Sequence, residues 1–538
     1  MQGVTRMDRD LLWDAQDVAG SLVPVGSVFA FLAEHRGELF DDSFTADLFP
    51  SRTGRPSLPA DLIGSVLVLK ELYALSDPQT AEALKYDIRW KVSCGRSLTD
   101  TSFDPSTLVY WRKRIAASDR PDRVFDKVAE VITETGILRG RRKRCVDSTV
   151  FDDAVATQDT VTQLVAAIRK VARVVPGGSE VIAAVCVLDY AKAGKPDIDW
   201  DDPAAKADLV STLVNDALAV LARLCGPVAP QRDQVAADAL GLLALVAGQD
   251  VEPAEDSDGT DGRWVIARKV APDRVISTVD PQTRHTRKSK SVRRDGYRAH
   301  LATEPETGLI TDAEMTMATG QDNTDAAMGV KMANRDRFHP AESAESAESA
   351  ESSVGEGLEV YGDSAYGSGE AREAYRQAGH DAVIKPKPVQ PAVPGGFTLD
   401  DFTVDEEQGS VTCPAGHTRP ITPARTVTFG KLCTGCPLRA KCTTAKTGRS
   451  MTIHQYEGLL RAARAQGRTP EFKQAYPTRS NVERTVAHVA TQNGRRIKLR
   501  HLGTAASNAW LRSRAAALNL RTLLKHGLTR IDGAWSLA

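Results

Sequence analysis

Nowhere in its 538 residues does the chain hold an apolar run near the ~18–20 residues that a membrane-spanning helix needs. Residues Met1 to Trp13 are rich in charge and lack the apolar stretch of a secretory signal. A soluble cytoplasmic protein is expected. Cysteine is also scarce: eight thiols are too few for a disulfide scaffold of this size. Net charge is nearly absent, at −1, which excludes a chain that binds polyanions through bulk charge alone. That mean hides an asymmetry. From Lys473 to Arg530 there are twelve Lys and Arg residues against one acid, Glu483. A basic end on an otherwise acidic chain hints at a polyanionic partner, although a charge run is more often a solvated face.

What is present is 41% hydrophobic sequence, enough for a sizeable core and about two to four domains. Apolar periodicity and start signals predict helices over 59–75, 80–91, 106–115 and 123–135. A short β-branched run, 144–151 (RCVDSTVF), predicts a strand with one carboxylate in its middle. A helix over 160–174 follows, then an Ala- and Leu-rich stretch, 176–262, with helical runs at 204–224 and 234–247. Strands are expected at 274–279, 296–303 and 309–317, the last two joined as a hairpin by the PETG turn at 305–308. The AES repeat at 341–353 is polar and of low complexity, and is expected to be a mobile loop. Strand 358–361, helix 369–378 and strand 381–385 precede a Pro-rich linker. Short strands are expected over 397–452, and long helices over 478–488 and 504–526. With the insertions removed, this order implies an α/β fold with a mixed sheet flanked by helices.

Three carboxylates stand in suggestive settings. Asp147 interrupts an apolar strand, and Asp363 follows a strand and Gly362. A buried carboxylate without a partner is strongly disfavoured, so each calls for a cation, a metal or backbone donors. Glu483 lies four residues after Arg479 and seven after Tyr476, so on one helix Arg479 and Glu483 share a face. An ordinary surface ion pair is the commoner meaning of such spacing. Against it stands the isolation of Glu483 as the single acid of a basic region. The remaining signal is Cys413-Pro-x-Gly-His417 followed by Cys433-x-x-Cys436-Pro-x4-Cys442. Four thiolates, two in a C-x-x-C knuckle, suit a structural tetrahedral Zn²⁺ site; the alternatives are His417 in place of one cysteine, or a relic that no longer binds metal. The other four cysteines read as small buried hydrophobes.

These motifs together resemble the DDE transposases of bacterial insertion sequences. The family's Tyr-x2-Arg-x3-Glu-x6-Lys signature is matched by Tyr476, Arg479 and Glu483, while Ala490 stands where it has lysine. Val146-Asp147-Ser148-Thr149 looks like its first-aspartate strand, and Gly362-Asp363-Ser364-Ala365-Tyr366-Gly367 like its second. Asp280-Pro281, Lys288 and Asp295-Gly296-Tyr297 resemble the segment between them, and Gly54-Arg55-Pro56-Ser57 with Leu75-Ser76-Asp77 the N-terminal helical domain. The resemblance implies a ribonuclease-H-like core in which Asp147, Asp363 and Glu483 hold two Mg²⁺ ions, with Mn²⁺ a possible substitute. Arg479 and Tyr476 would support them, and a homodimer would act on the double-stranded ends of an element. It further implies an N-terminal DNA-binding domain over 1–138, a core in three parts (139–175, 263–385 and 456–538), a helical insertion at 176–262 and a four-cysteine, zinc-ribbon-like insertion at 386–455. DNA contacts are expected from Arg112, Arg114, Arg142, Lys288, Arg495, Arg496 and Lys498. A catalytically inactive end-binding repressor or relic is the alternative.

Overall fold

The structure is a computed structural model that describes residues 1–3, 12–51, 53–225, 233–269, 271, 273–287, 292–339 and 357–538. Lys288 and the AES repeat lie outside the described residues. None of the described helices is long and apolar enough to cross a membrane.

The N-terminal part is helical: α1 (Val28–Leu39), α2 (Ala60–Leu72), α3 (Asp77–Tyr86), α4 (Ile88–Ser93), α5 (Ser106–Ala116) and α6 (Arg123–Thr135). Every residue of α2 is buried, as expected of a helix apolar on nearly all sides. The single helix expected over 80–91 is divided. Asp87 adopts an extended backbone and turns its carboxylate onto the amide of Arg89, 2.9 Å away, so one helix ends and the next is capped.

The central sheet has six strands: β1 (Lys143–Asp152), β2 (Arg284–Arg287), β3 (Arg293–Thr303), β4 (Ile310–Met317), β5 (Glu359–Gly362) and β6 (Asp381–Ile384). Its order is β2-β3-β1-β5-β6, with β4 also paired to β3. β3 runs antiparallel to β1, β2 and β4, whereas β1, β5 and β6 are mutually parallel. The sheet is therefore mixed. In the β1/β3 register Asp147 faces Leu301 and Ser148 faces His300. Gly296 permits the close crossing at the far end, because a Cβ there would fall 1.9 Å from the Phe151 carbonyl oxygen.

After β1, α7 (Thr160–Val174), α8 (Pro203–Leu224) and α9 (Gln234–Gln249) bury a core of their own around Leu164, Ile168, Leu213 and Leu243. The strand expected at 274–279 does not form. Side-chain amides occupy its ladder: the Val275 amide donates to Gln249 Oε1 (3.0 Å), the Val275 carbonyl accepts from Gln163 and Gln249, and the Thr278 amide donates to Gln158. Backbone groups satisfied this way need no neighbouring strand.

On the sheet pack α10 (Asp325–Asn334), α11 (Gly369–Gln377), α12 (Ser480–Ala490) and α13 (Thr504–Lys525). α13 bridges the sheet and the N-terminal helices. Its Asn519 exchanges two 2.8 Å hydrogen bonds with the Ile310 backbone, and its Asn508 accepts from the Met315 amide, which closes polar groups on β4. Arg514, 1% exposed, donates to the carbonyls of His488, Val489 and Thr491 and of Glu71, fastening the end of α12 to the end of α2. Between β6 and α12 lies a small β region, with a three-stranded sheet (Thr403–Asp405, Ser410–Thr412, Thr418–Pro420) and a two-stranded one (Thr426–Thr428, Ser450–Thr452). Phe402, Val411, Val427, Phe429 and Ile453 form its core.

Candidate active site

Asp147 sits in the middle of β1, and Asp363 directly follows β5, the parallel neighbour of that strand. At the end of β5 a Cβ on Gly362 would come within 2.9 Å of the Tyr366 side chain, so the turn after Asp363 needs glycine there. The Asp363 carboxylate accepts from the Ala365 amide at 2.8 Å, which fixes the turn. α12 is laid against the same strands by Val482, fully buried with Cys145 and Tyr361, and by Val486. That apolar seam leaves Glu483 at the edge of the contact, with its side chain 60% exposed.

Arg479 lies at the junction. It closes a 3-10 turn, Tyr476–Arg479, ahead of α12. Its guanidinium is 3.4 Å from Asp147 Oδ2 and donates to Glu483 Oε1 at 2.8 Å. The Tyr476 hydroxyl donates at 3.2 Å to the carbonyl of Gly362, next to Asp363, and its ring stacks on Phe472. Burial raises the pKa of Asp147; the Ser148 amide and the Arg479 charge oppose this, and Asp363 and Glu483 reinforce it. Burial works against the charged Arg479, yet Asp147, Tyr476, Asp363 and Glu483 hold its pKa above the ordinary value. Asp147 and Glu483 thus share one guanidinium, and the Asp363 charge acts on it from the turn after β5. Among the described residues, no three His, Cys, Asp or Glu side chains are already gathered as a metal-ligand set.

The four clustered cysteines, all free thiols, line one small cavity with Phe397, Phe429 and Arg449. Cys433 is buried and accepts from the Arg449 amide at 3.4 Å. The Cys413 amide donates to the His417 carbonyl in a tight knuckle turn, while the His417 side chain is exposed. Burial raises the Cys442 thiol; Arg449 opposes this, and Cys433, Cys413 and Cys436 add to it.

Two stretches of the chain match known domain families: residues 22–114 match the Transposase domain (DUF772), and residues 412–524 match the Transposase DDE domain. Both are transposase domains, the second of the DDE type, and together they support a DDE-type insertion-sequence transposase. No match to a curated protein or to a solved structure was found. The DDE match in this transposase spans Tyr476, Arg479, Glu483 and all four clustered cysteines; Asp147 and Asp363 lie outside both matched stretches.

The residues expected to touch DNA divide by their present partners. Arg112 forms a two-pronged pair with Asp77, both arms at 2.6 Å. Arg114 lies over the Phe49 ring and donates to the Leu48 carbonyl. Arg142 donates to the Gly357 carbonyl and pairs with Asp381. Arg144, two residues further on, is 1% exposed and paired with Asp336, so it is structural. Arg495, Arg496 and Lys498 lie on and beside the hairpin that follows α12, and Arg496 donates to the Val150 carbonyl of β1. Ala490 is 3% exposed in the core beneath that hairpin.

Sequence reading missed a buried polar group behind Asp147. His300, fully buried, lies 3.6 Å from Asp325, whose carboxylate accepts from Arg298 at 3.0 Å. Tyr366 is buried beside it, and burial pushes its phenol well up. The available signal was the alternation in GYRAHLAT, which turns His300 away from Leu301 and into one face of the sheet.

Proposed function

We propose that this transposase cleaves DNA at the ends of its element and transfers the freed 3′-hydroxyls to target DNA, using Asp147, Asp363 and Glu483 as ligands of two Mg²⁺ ions. The observation that carries this is the sharing of Arg479 between Asp147 on β1 and Glu483 on α12, with Asp363 at the end of the parallel strand beside β1. Three hard carboxylates fit a hard dication. Such ions, when bound, activate the attacking oxygen and stabilise the leaving one. The protein's own part is placement. β1 fixes Asp147 at mid-strand, the Gly362 turn fixes Asp363, and the Val482 seam fixes Glu483. The strand order, three antiparallel strands followed by two parallel ones, favours a ribonuclease-H-like core in the three segments assigned above. Residues 1–138 would bind the terminal inverted repeats, with Arg495, Arg496 and Lys498 flanking the acids on the DNA side. The cavity formed by Cys413, Cys433, Cys436 and Cys442 is offered as a structural zinc site of a ribbon-like insertion. A homodimer would hold the two ends.

One observation favours a second reading, an inactive end-binding repressor. Ala490 stands where the family has a lysine, and it is buried. Cleavage of a labelled duplex carrying the element's end, in Mg²⁺ or EDTA, separates the two. Metal-dependent cutting lost in Asp147→Ala with binding retained supports the enzyme. Binding without cutting by the unaltered chain supports the repressor.

A further inference from the structure

We propose that Arg479 is the built-in counter-cation of the acidic site, and that a divalent ion enters by displacing its guanidinium. This rests on the reading of Asp147, Asp363 and Glu483 as metal ligands. One arm of the guanidinium lies 3.4 Å from Asp147 Oδ2 and another donates to Glu483 Oε1 at 2.8 Å. Those oxygens are the ones a cation bound between strand and helix needs, and they cannot serve both at once. The side chain is only 16% exposed, so it is lodged among the acids rather than laid over them. Its Nε is buried and makes no hydrogen bond, so the guanidinium fills the site without being fully satisfied there.

The arrangement explains two facts together. Asp147 and Glu483 meet at one guanidinium, yet no three acids stand as a ready ligand set among the described residues. A single positive charge offsets part of the mutual repulsion of the acids, and a dication offsets more at the same distance. The exit route is local. Glu483 is 60% exposed, and Arg479 sits at the end of a 3-10 turn rather than inside a regular helix, so its side chain swings outward without unpacking Val482. Arg479 then acts as a positioning residue. It holds the acids in place before metal arrives and sets how tightly metal binds.

The test is Mn²⁺ titration of the full chain without DNA, followed by the paramagnetic resonance signal of free Mn²⁺. The unaltered protein is compared with Arg479→Gln, Asp147→Asn and the double variant. Removing the internal cation is expected to tighten Mn²⁺ binding by about tenfold or more. The melting temperature of Arg479→Gln should fall without metal and rise further than that of the unaltered chain when Mn²⁺ is added. If Arg479→Gln does not fold, Arg479→Lys, which keeps the charge but loses the fork, should bind with intermediate affinity. Equal or weaker binding in the Arg479 variants, with binding still lost in Asp147→Asn, overturns the counter-cation inference alone. Binding that survives Asp147→Asn and the double variant, or no binding by any form, overturns the metal-site reading and this inference with it.

Discussion

Replacing His300 by Gln should reverse the order of stability between neutral and acid pH. His300 is fully buried on β3, with Nε2 3.2 Å from the Thr316 hydroxyl and Nδ1 3.6 Å from Asp325. Burial pushes its pKa down to about 3; Arg298 and Lys331 act in the same direction and Glu314 against it. Asp325 does not rescue the charged form, because it is already engaged by Arg298. An unfolded histidine titrates near 6.5. Between about pH 6.5 and 3 the unfolded chain therefore binds the extra proton, and stability falls as pH falls through that window. At pH 4.5 the loss comes to about 3 kcal/mol, nearly the full two pH units below the unfolded pKa. Gln keeps much of the shape and cannot titrate; at pH 7.5 it forfeits about 1 kcal/mol of hydrogen bonding. The unaltered chain should accordingly be the more stable at pH 7.5 and the less stable at pH 4.5. Urea unfolding followed by tryptophan fluorescence suits the question, since Trp510 packs edge-on against Phe151 of the same sheet. Parallel acid losses in both proteins would refute the reasoning, and would mean that Asp325 holds a charged His300 in the folded state.

Other outcomes follow from single contacts. Purified protein should carry about one zinc per chain by elemental analysis, and Cys433→Ser with Cys436→Ser should remove it. The double change Arg495→Ala with Arg496→Ala should weaken binding to all duplexes alike and lower the slope of log affinity against log salt by about 2. Leu301→Ala opens a hole directly across from Asp147 and should cost about 2–5 kcal/mol in denaturant titration.

Much of the fold was legible wherever local signals and tertiary packing agreed. The ends of α6 and α7 follow the apolar period and the Asp159 cap, and the β3/β4 hairpin follows the PETG turn, where Gly308 takes a positive φ. Residues 274–279 were misleading because their β-branched character is real, while the partners that satisfy their backbone are glutamines on distant segments. The site was legible as residue types and not as an arrangement. Nothing in the spacing of Arg479 and Glu483 reveals that the same guanidinium also reaches Asp147, more than three hundred residues earlier. The expected DNA contacts show the opposite limit. Arg112 and Arg142 count alike in the sequence, but their acidic partners Asp77 and Asp381 are brought to them only by the fold.

The alanine at position 490 looks in sequence like a lost catalytic lysine, and the direct repair is Ala490→Lys. The structure argues that this repair fails. Ala490 is 3% exposed at the end of α12, packed in the main core, and the carbonyls around it are already claimed by Arg514, itself 1% exposed. Burial pulls the pKa of Arg514 down to about 10; Glu71 opposes this and Arg521 adds to it. A lysine here would set a second buried cation beside the first, whose nearby acid, Glu71, already pairs with Lys70. The cost of an unpaired buried charge is about 3–5 kcal/mol, well above the ~1 kcal/mol that a cation gains at a helix C-terminus. Ala490→Lys should therefore melt lower and cleave no better. If a basic group is needed beyond α12, it must come from Arg495, Arg496 or Lys498, a short step further along the chain. Faster end cleavage by Ala490→Lys at an unchanged melting temperature would show that the helix end opens to solvent and that the family's lysine is a true vacancy in this chain.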